Sequence, residues 1–271
     1  MMNLNKKYKI INSLSMEGTT FEVLELDDLE GATEPSMAEK LFFAKQQGLR
    51  IRLIKATINN SSIKTEAGAL YYYRGNIQAG TDVKGIGSFL KKAVIGSVTE
   101  ESLSKPEYFG TGEIYLEPSF KHYLLVQLNN SSIIVDKNMF YAATSGIEIT
   151  SVIQSNLSSA VLGNEGLFQI KLKGTGIVVL ESEVPESEIE KIELNGNEIL
   201  KVDGNFAILR TEKIKFSVTK SNKGLLSSAI GGEGFLNTFE GVGTVWLAPT
   251  LPLYHKLSTG MTITNKGSNH T

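Results

Sequence analysis

Apolar and polar positions follow the period of a strand through most of the chain. Phe21-Glu-Val-Leu-Glu-Leu26 mixes apolar and acidic residues as a strand with one buried face does, and Asp27-Asp28-Leu-Glu-Gly31 ends it. The period then turns helical over Ser36–Gln47. Pro35 and Ser36 are start signals, Met37, Leu41 and Ala44 fall on one face that Phe42 and Phe43 widen, and Gly48 is a stop. From about Arg50 strand patterns return and repeat. Ile58-Asn-Asn-Ser-Ser-Ile63 comes back as Leu128-Asn-Asn-Ser-Ser-Ile133 and, more loosely, as Leu194-Asn-Gly-Asn-Glu-Ile199. Each is an apolar strand ending, a polar turn in which asparagine tolerates positive φ, and a new strand. Each is followed by an acid, a turn and a hydrophobic strand: Glu66-Ala-Gly-Ala-Leu-Tyr-Tyr-Tyr73, Asp136-Lys-Asn-Met-Phe-Tyr-Ala142 and Asp203-Gly-Asn-Phe-Ala-Ile-Leu209.

A short helix is expected next in each copy, at Phe89-Leu-Lys-Lys-Ala-Val-Ile-Gly96, Leu157-Ser-Ser-Ala-Val-Leu-Gly163 and Leu226-Ser-Ser-Ala-Ile-Gly231. A closing motif completes the unit: Glu, Gly or Ser, an apolar residue, a spacer, then G-x-G-x-[IV]-x-L-x-[PS]. It opens at Glu101, Glu165 and Glu233 and ends at Pro118, Ser182 and Pro249. A period of about 65 residues points to triplication of one small β unit, each copy burying apolar surface on its neighbours. The expected organisation is an N-terminal strand–helix addition over 1–49, one triplicated β domain over 50–255 (copies 50–120, 121–182 and 183–255), and a polar tail over 256–271.

The string Gly-Glu-Gly-Phe…Phe-Glu-Gly-Val-Gly-Thr-Val-Trp-Leu-Ala-Pro of 232–249 resembles the mitochondrial biogenesis (altered inheritance of mitochondria) family. Glu66-Ala-Gly-Ala-Leu70 and the Gly-rich helix ahead of Glu101 fit the same pattern, and the resemblance spans about residues 50–255. It implies a mainly β fold like that of the tryptophan RNA-binding attenuation protein (TRAP-like). There, three double-stranded β-helix-type repeats form one pseudo-threefold body with short helices. Bacterial members of the family have no settled activity and fungal members are linked to mitochondrial inner-membrane organisation. The family brings no catalytic residues with it. The second copy departs from the pattern, with Asp136-Lys-Asn-Met where glycine is expected and Ser182 where proline is, so its loops are expected to differ.

Composition narrows the chemistry. Hydrophobic residues make up 41% and charged residues 21% of the 271, ordinary values for a folded chain of this length. The absence of cysteine removes disulfides, thiolate catalysis and cysteine metal sites. A net charge of −2 gives no general attraction to nucleic acid. No signal-peptide core and no apolar run of about 20 residues is present, so a cytoplasmic protein is expected.

Several residues invite functional readings. Glu101, Glu165 and Glu233 occupy equivalent positions and could converge on a cation, since carboxylates suit hard ions; they could equally accept backbone N–H bonds at loop-to-strand junctions. Phe89, Lys91 and Lys92 give the first short helix a basic amphipathic face suited to a membrane or partner. The other two copies have Ser-Ser at the lysine positions, as a solvated face would. The Gly-x-Gly motifs lack the third glycine and following helix of a dinucleotide site, so a bulge or close backbone approach is expected. Tyr71-Tyr-Tyr-Arg74 has no basic stripe beside it and reads as a half-exposed strand, not a base-stacking surface. His122, His255 and His270 are too scattered for a cupin-type metal site, and no G-x-S-x-G elbow occurs. The sequence therefore predicts a non-catalytic scaffold or interaction module without cofactor, its partner unspecified and a homo-oligomer allowed. Small-ligand or ion binding in a cleft between repeats, and peripheral membrane association, stay open as alternatives.

Overall fold

The computed structural model describes residues 8–27, 29–81, 103–153, 168–203, 206–220 and 235–259. These are mainly antiparallel β-strand, with two helices among them. They fall into two units, the first running to Ile153 and including Phe168–Ser182, the second holding Glu183 onward. The expected short helices at 89–96, 157–163 and 226–231 and the tail over 264–271 lie outside the described residues.

The first unit opens on a hairpin of β1 (Tyr8–Met16) and β2 (Thr19–Leu26). Its turn, Glu17-Gly18, has φ of 44° and 77°, the doubly left-handed combination that matches the twist of paired strands. A Cβ on Gly18 would sit 2.8 Å from the Asn59 carbonyl oxygen, so only glycine fits there. The sequence pattern gave no sign of β1, because Ile10 and Ile11 are both exposed around a bulge and break the alternation. Helix α1 (Pro35–Gln46) begins with Pro at its first turn, where a missing N–H costs nothing. It ends in paired bonds, Gly48 N–H to Lys45 O and Leu49 N–H to Ala44 O, with Gly48 at φ 69°. That C-terminal geometry needs a left-handed residue, which is why the stop falls at glycine.

Three stretches then follow one pairing scheme. The first contains β3 (Arg52–Thr65), β4 (Leu70–Thr81) and β5 (Pro106–Leu116). The second contains β6 (His122–Asp136), β7 (Phe140–Thr144), β8 (Ile147–Ile153) and β9 (Phe168–Ser182). The third, in the second unit, contains β10 (Glu190–Asp203), β11 (Ala207–Thr211), β12 (Lys215–Lys220) and β13 (Phe235–Leu247). In each, the closing strand (β5, β9 or β13) runs antiparallel to the opening strand on one side and to the hairpin on the other. The hairpin strand always bulges one residue after its start, at Leu70/Tyr72, Phe140/Ala142 and Ala207/Leu209. The closing strand always ends with an N–H to the turn that began the hairpin: Glu117 to Ala69 O, Glu181 to Met139 O and Ala248 to Phe206 O. The second copy closes its turn without glycine, Met139 N–H reaching Asp136 O at 3.0 Å just as Ala69 reaches Glu66 O at 3.2 Å.

The Gly-x-Gly motif sits where the closing strand passes tightest between its neighbours. Its first glycine has φ of 131°, 140° and 124° at Gly110, Gly174 and Gly241. A Cβ there would lie 2.1 Å from Asn76 O, 2.1 Å from Gly146 O and 2.5 Å from Lys213 O respectively, all backbone atoms that cannot step aside. The second glycine makes room for an isoleucine: a Cβ on Gly112, Gly176 or Gly243 would come within 2.8, 3.2 and 3.2 Å of Ile77, Ile147 and Ile214. All three isoleucines are buried. The expected close backbone approach is what these glycines serve.

The residue between the glycines handles the bulge of the opening strand. Thr111 Oγ1 accepts the Asn60 N–H and Thr175 Oγ1 the Asn130 N–H, both at 3.0 Å, with the asparagines at φ 48° and 47°. In the third copy Gly196 (φ 91°) supplies the left-handed residue, and exposed Val242 replaces the threonine. The hairpin is pinned similarly: Thr144 Oγ1 accepts from Ile177 N–H and Thr211 Oγ1 from Thr244 N–H. The first copy has Arg74 there, its guanidinium on Glu113.

The core of the first unit gathers Phe21, Ile54, Ile58, Ile63, Ile114 and Ile177, none more than 1% exposed. That of the second is smaller, around Leu194, Ile214, Phe239 and Val245. There helix α2 (Leu251–Ser258) buries no residue completely and is tied by polar contacts. Glu188 accepts from Thr250 Oγ1 and Tyr254 Oη, and His255 Nε2 meets Glu183 at 2.7 Å.

Gly174→Ala is expected to destabilise the protein by about 2 kcal/mol or more, since it combines a disfavoured φ with a backbone clash. Gly31→Ala, with nothing within 4 Å of its new methyl, should stay within about 0.5 kcal/mol. Denaturant melts of the two variants check this, and equal midpoints would refute the close-approach role.

Candidate functional site

The residues that sequence singled out for ion binding, Glu101, Glu165 and Glu233, and for membrane or partner contact, Phe89, Lys91 and Lys92, all lie outside the described residues. Among the described residues no cluster of histidine and carboxylate has metal-binding geometry. His255 belongs to the helix tie, and the Tyr71–Tyr73 run alternates as expected, with Tyr71 and Tyr73 exposed and Tyr72 half-buried. The space beside each first motif glycine is filled by a paired strand's carbonyl oxygen, which would repel a phosphate.

Charge in the first unit is concentrated on one row across β2, β3, β5 and β4. Glu22 and Lys55 are cross-strand partners at 2.9 Å, Lys55 reaches on to Glu113 at 3.3 Å, and Glu113 meets its own cross-strand partner Arg74. The signs alternate −, +, −, +. Arg52 and Glu25 add a parallel pair at 2.8 Å. Burial alone would raise the Glu113 carboxyl, but the Arg74 and Lys55 contacts together outweigh it and hold it below its usual range. Burial would likewise lower the Lys55 ammonium, and Glu22 and Glu113 reverse that. Tyr115, stacked on Tyr72 at 4.4 Å, has its phenol pushed well up by burial and then by the Glu113 charge. These groups hold their charges firmly and lend none to a proton transfer near neutral pH.

The hairpin-turn acids behave differently. Glu66 is met by Lys105 Nζ at 2.5 Å, and Lys105 is itself nearly buried, 5.1 Å from the centre of the Phe140 ring. At the equivalent position of the second copy, burial pushes the Asp136 carboxyl up to about 6.

A groove lies between α1 and the strand ends it connects, lined by Leu26, Leu41 and Ile51 with Asp27, Glu30 and Arg50. Beside it Phe42 and Phe43, 59% and 58% exposed, pack edge to face at 5.6 Å. The sequence placed them on a widened apolar face. Their exposure was not legible, because periodicity says which residues share a face and not whether anything covers it.

These features define a mainly antiparallel β protein whose functional surface is polar ladder, exposed strand edge and helix face. The profile of the mitochondrial biogenesis AIM24 family matches residues 43–250, and the chain belongs to that family. An uncharacterized protein of Streptococcus pyogenes serotype M6 is 22% identical over 218 residues, covering 77% of this chain and 85% of that one. A crystal structure of a Streptococcus pyogenes protein from a structural genomics programme shares 20% identity with a TM-score of 0.55, over 79% of this chain and 95% of that chain. That likeness shows the fold.

Asp136 gives a pH prediction. Its folded value of about 6 lies above the ordinary 3.8, so the folded state holds the proton more tightly. The resulting stability is complete below about pH 4, falls through the window from 4 to 6, and is gone above it. Asp136→Asn should therefore be more stable than the parent at pH 7–8, by at most about 3 kcal/mol, with the difference vanishing near pH 4. Paired urea melts across pH 4–8 read this out. A difference independent of pH would remove burial as the cause.

Proposed function

We propose that the protein is a non-catalytic interaction module, cytoplasmic, working without cofactor through its surfaces. The observation carrying this reading is the charge row Glu22–Lys55–Glu113–Arg74, in which the ionisable groups of the sheet are spent on one another across four strands. Active sites are built the other way, with acids and bases whose values are drawn towards the working pH and aimed at a cleft. The glycine motifs add support, since their role is exhausted by strand approach. The net charge of −2 speaks against nucleic acid as the partner. The shared pairing scheme of the three stretches supports the finer expectation of three repeats in a pseudo-threefold body.

The α1 groove favours one rival reading, a small ligand held between apolar walls and the charges of Asp27, Glu30 and Arg50.

Native mass spectrometry of untagged, gently purified protein separates the two. A mass that is a clean integer multiple of 29.6 kDa is expected. A reproducible adduct lost on denaturation would overturn the module reading and identify the ligand by mass difference.

A further inference from the structure

Within the first unit the chain shows how one copy's opening strand takes up the next copy's hairpin. Along the edge of β3 not used by β5, Ile63, Lys64 and Thr65 pair with Thr144, Ala143 and Ala142 of β7. The junction is framed by Ser145 N–H to Ser62 O at 3.1 Å and Glu66 N–H to Tyr141 O at 2.8 Å. It is a closed joint: Ile63, Thr65, Tyr141, Ala142 and Ala143 are all buried.

The same two surfaces recur elsewhere without such a partner. Ser62 pairs with Phe109 and Ile199 with Glu240, the residues just before the first motif glycines, so Ser62–Glu66 corresponds to Ile199–Asp203 of β10. The shared hairpin bulge makes Tyr141–Ser145 correspond to Tyr71–Gly75 of β4. Among the described residues, β10 bonds only β13 and β4 bonds only β5. Both edges carry apolar side chains in water: Ile199 is 58% exposed, Tyr71 58% and Tyr73 42%, and Lys201 is also exposed. A bare, flat, apolar edge is a template for another strand, which natural sheets normally blunt.

We propose that the protein self-associates head to tail, the β10 edge of one copy pairing with the β4 edge of a second copy. The pairing follows the β3–β7 joint residue for residue. Leu200 lies opposite Arg74, Lys201 opposite Tyr73 and Val202 opposite Tyr72, with Asp203 N–H donating to Tyr71 O. Ile199, Tyr71 and Tyr73 leave water together, and the Lys201 stem lies along the Tyr73 ring. The two edges differ, so the contact is heterologous: each copy keeps one edge for a further copy, and rings or filaments follow. The proposal rests on the interaction-module reading and names its partner.

Hydrogen bonding alternates along a strand, so the N–H groups of 199, 201 and 203 face outward as those of 62, 64 and 66 face β7. Proline at 201 or at 73 therefore blocks the added strand while sparing the existing ladder. Sedimentation velocity of the full chain should show wild type growing beyond monomer with concentration, and Lys201→Pro and Tyr73→Pro each staying monomeric with wild-type circular dichroism. An equimolar mixture of the two variants retains one intact joint and should give a discrete dimer. If either proline variant loses its fold, Ile199→Lys, at an exposed position, should weaken association at least tenfold. A wild type that stays monomeric at every concentration, or variants that associate as wild type does, overturns the proposal. A monomer of clean mass sinks only this assembly, whereas a retained small molecule sinks the module reading itself.

Discussion

Everything in the repeated unit follows from one steric constraint: the closing strand must run between an opening strand and a hairpin with no room for a side chain at its centre. Backbone carbonyls of the hairpin come so near the first motif glycine that a methyl group would overlap them. Its φ, between 124° and 140° in the three copies, is one that other residues avoid. The second glycine then lets a buried isoleucine fill the space a β-carbon would take. One point of contact thus sets the register of both pairings, and the rest of the copy follows from where that point falls.

Around the fixed point the copies solve the same local problem with different chemistry. The opening strand needs a left-handed residue at its bulge, which two copies meet with an asparagine whose N–H is capped by threonine and the third with glycine. The hairpin needs an anchor beside the second glycine, supplied twice by threonine and once by the Arg74–Glu113 pair. Where a hydroxyl anchors the hairpin it breaks into two strands, β7–β8 and β11–β12. Where the ion pair does, β4 runs on unbroken through Gly75 at φ 112°. The buried geometry is constant and the means of satisfying its polar groups vary, as expected when each group needs a partner but not a particular one.

Sequence carried the repeated scheme because its determinants are local and short: Asn-Asn-Ser-Ser, the turn acid and Gly-x-Gly each mark a backbone need. Helix α1 was legible to within a residue, since Pro35 and Gly48 punctuate it chemically. Strand β1 was not, because an exposed edge strand has no buried face to imprint an alternation. Helix α2 was missed for a related reason. It holds on through Glu188 and Glu183, residues more than 60 positions away in sequence. The charge row was invisible too, as Glu22, Lys55, Glu113 and Arg74 become neighbours only once four strands are in register.

Where the copies diverge most is itself informative. The buried isoleucines and glycines hold, while change gathers at water-facing positions: Val242 for threonine, Ile199 for Ser62 and Ser132, and Tyr72 and Tyr73 for Ala142 and Ala143. Each swap puts a larger apolar group on the surface, which solubility alone opposes. Drift on a solvent face would favour polar replacements, and a core requirement would not act on exposed side chains. The remaining physical reason for such residues is contact with another surface. The outermost strands of the first and third copies carry them, whereas the equivalent positions inside the β3–β7 joint are small or polar because their partner is already fixed.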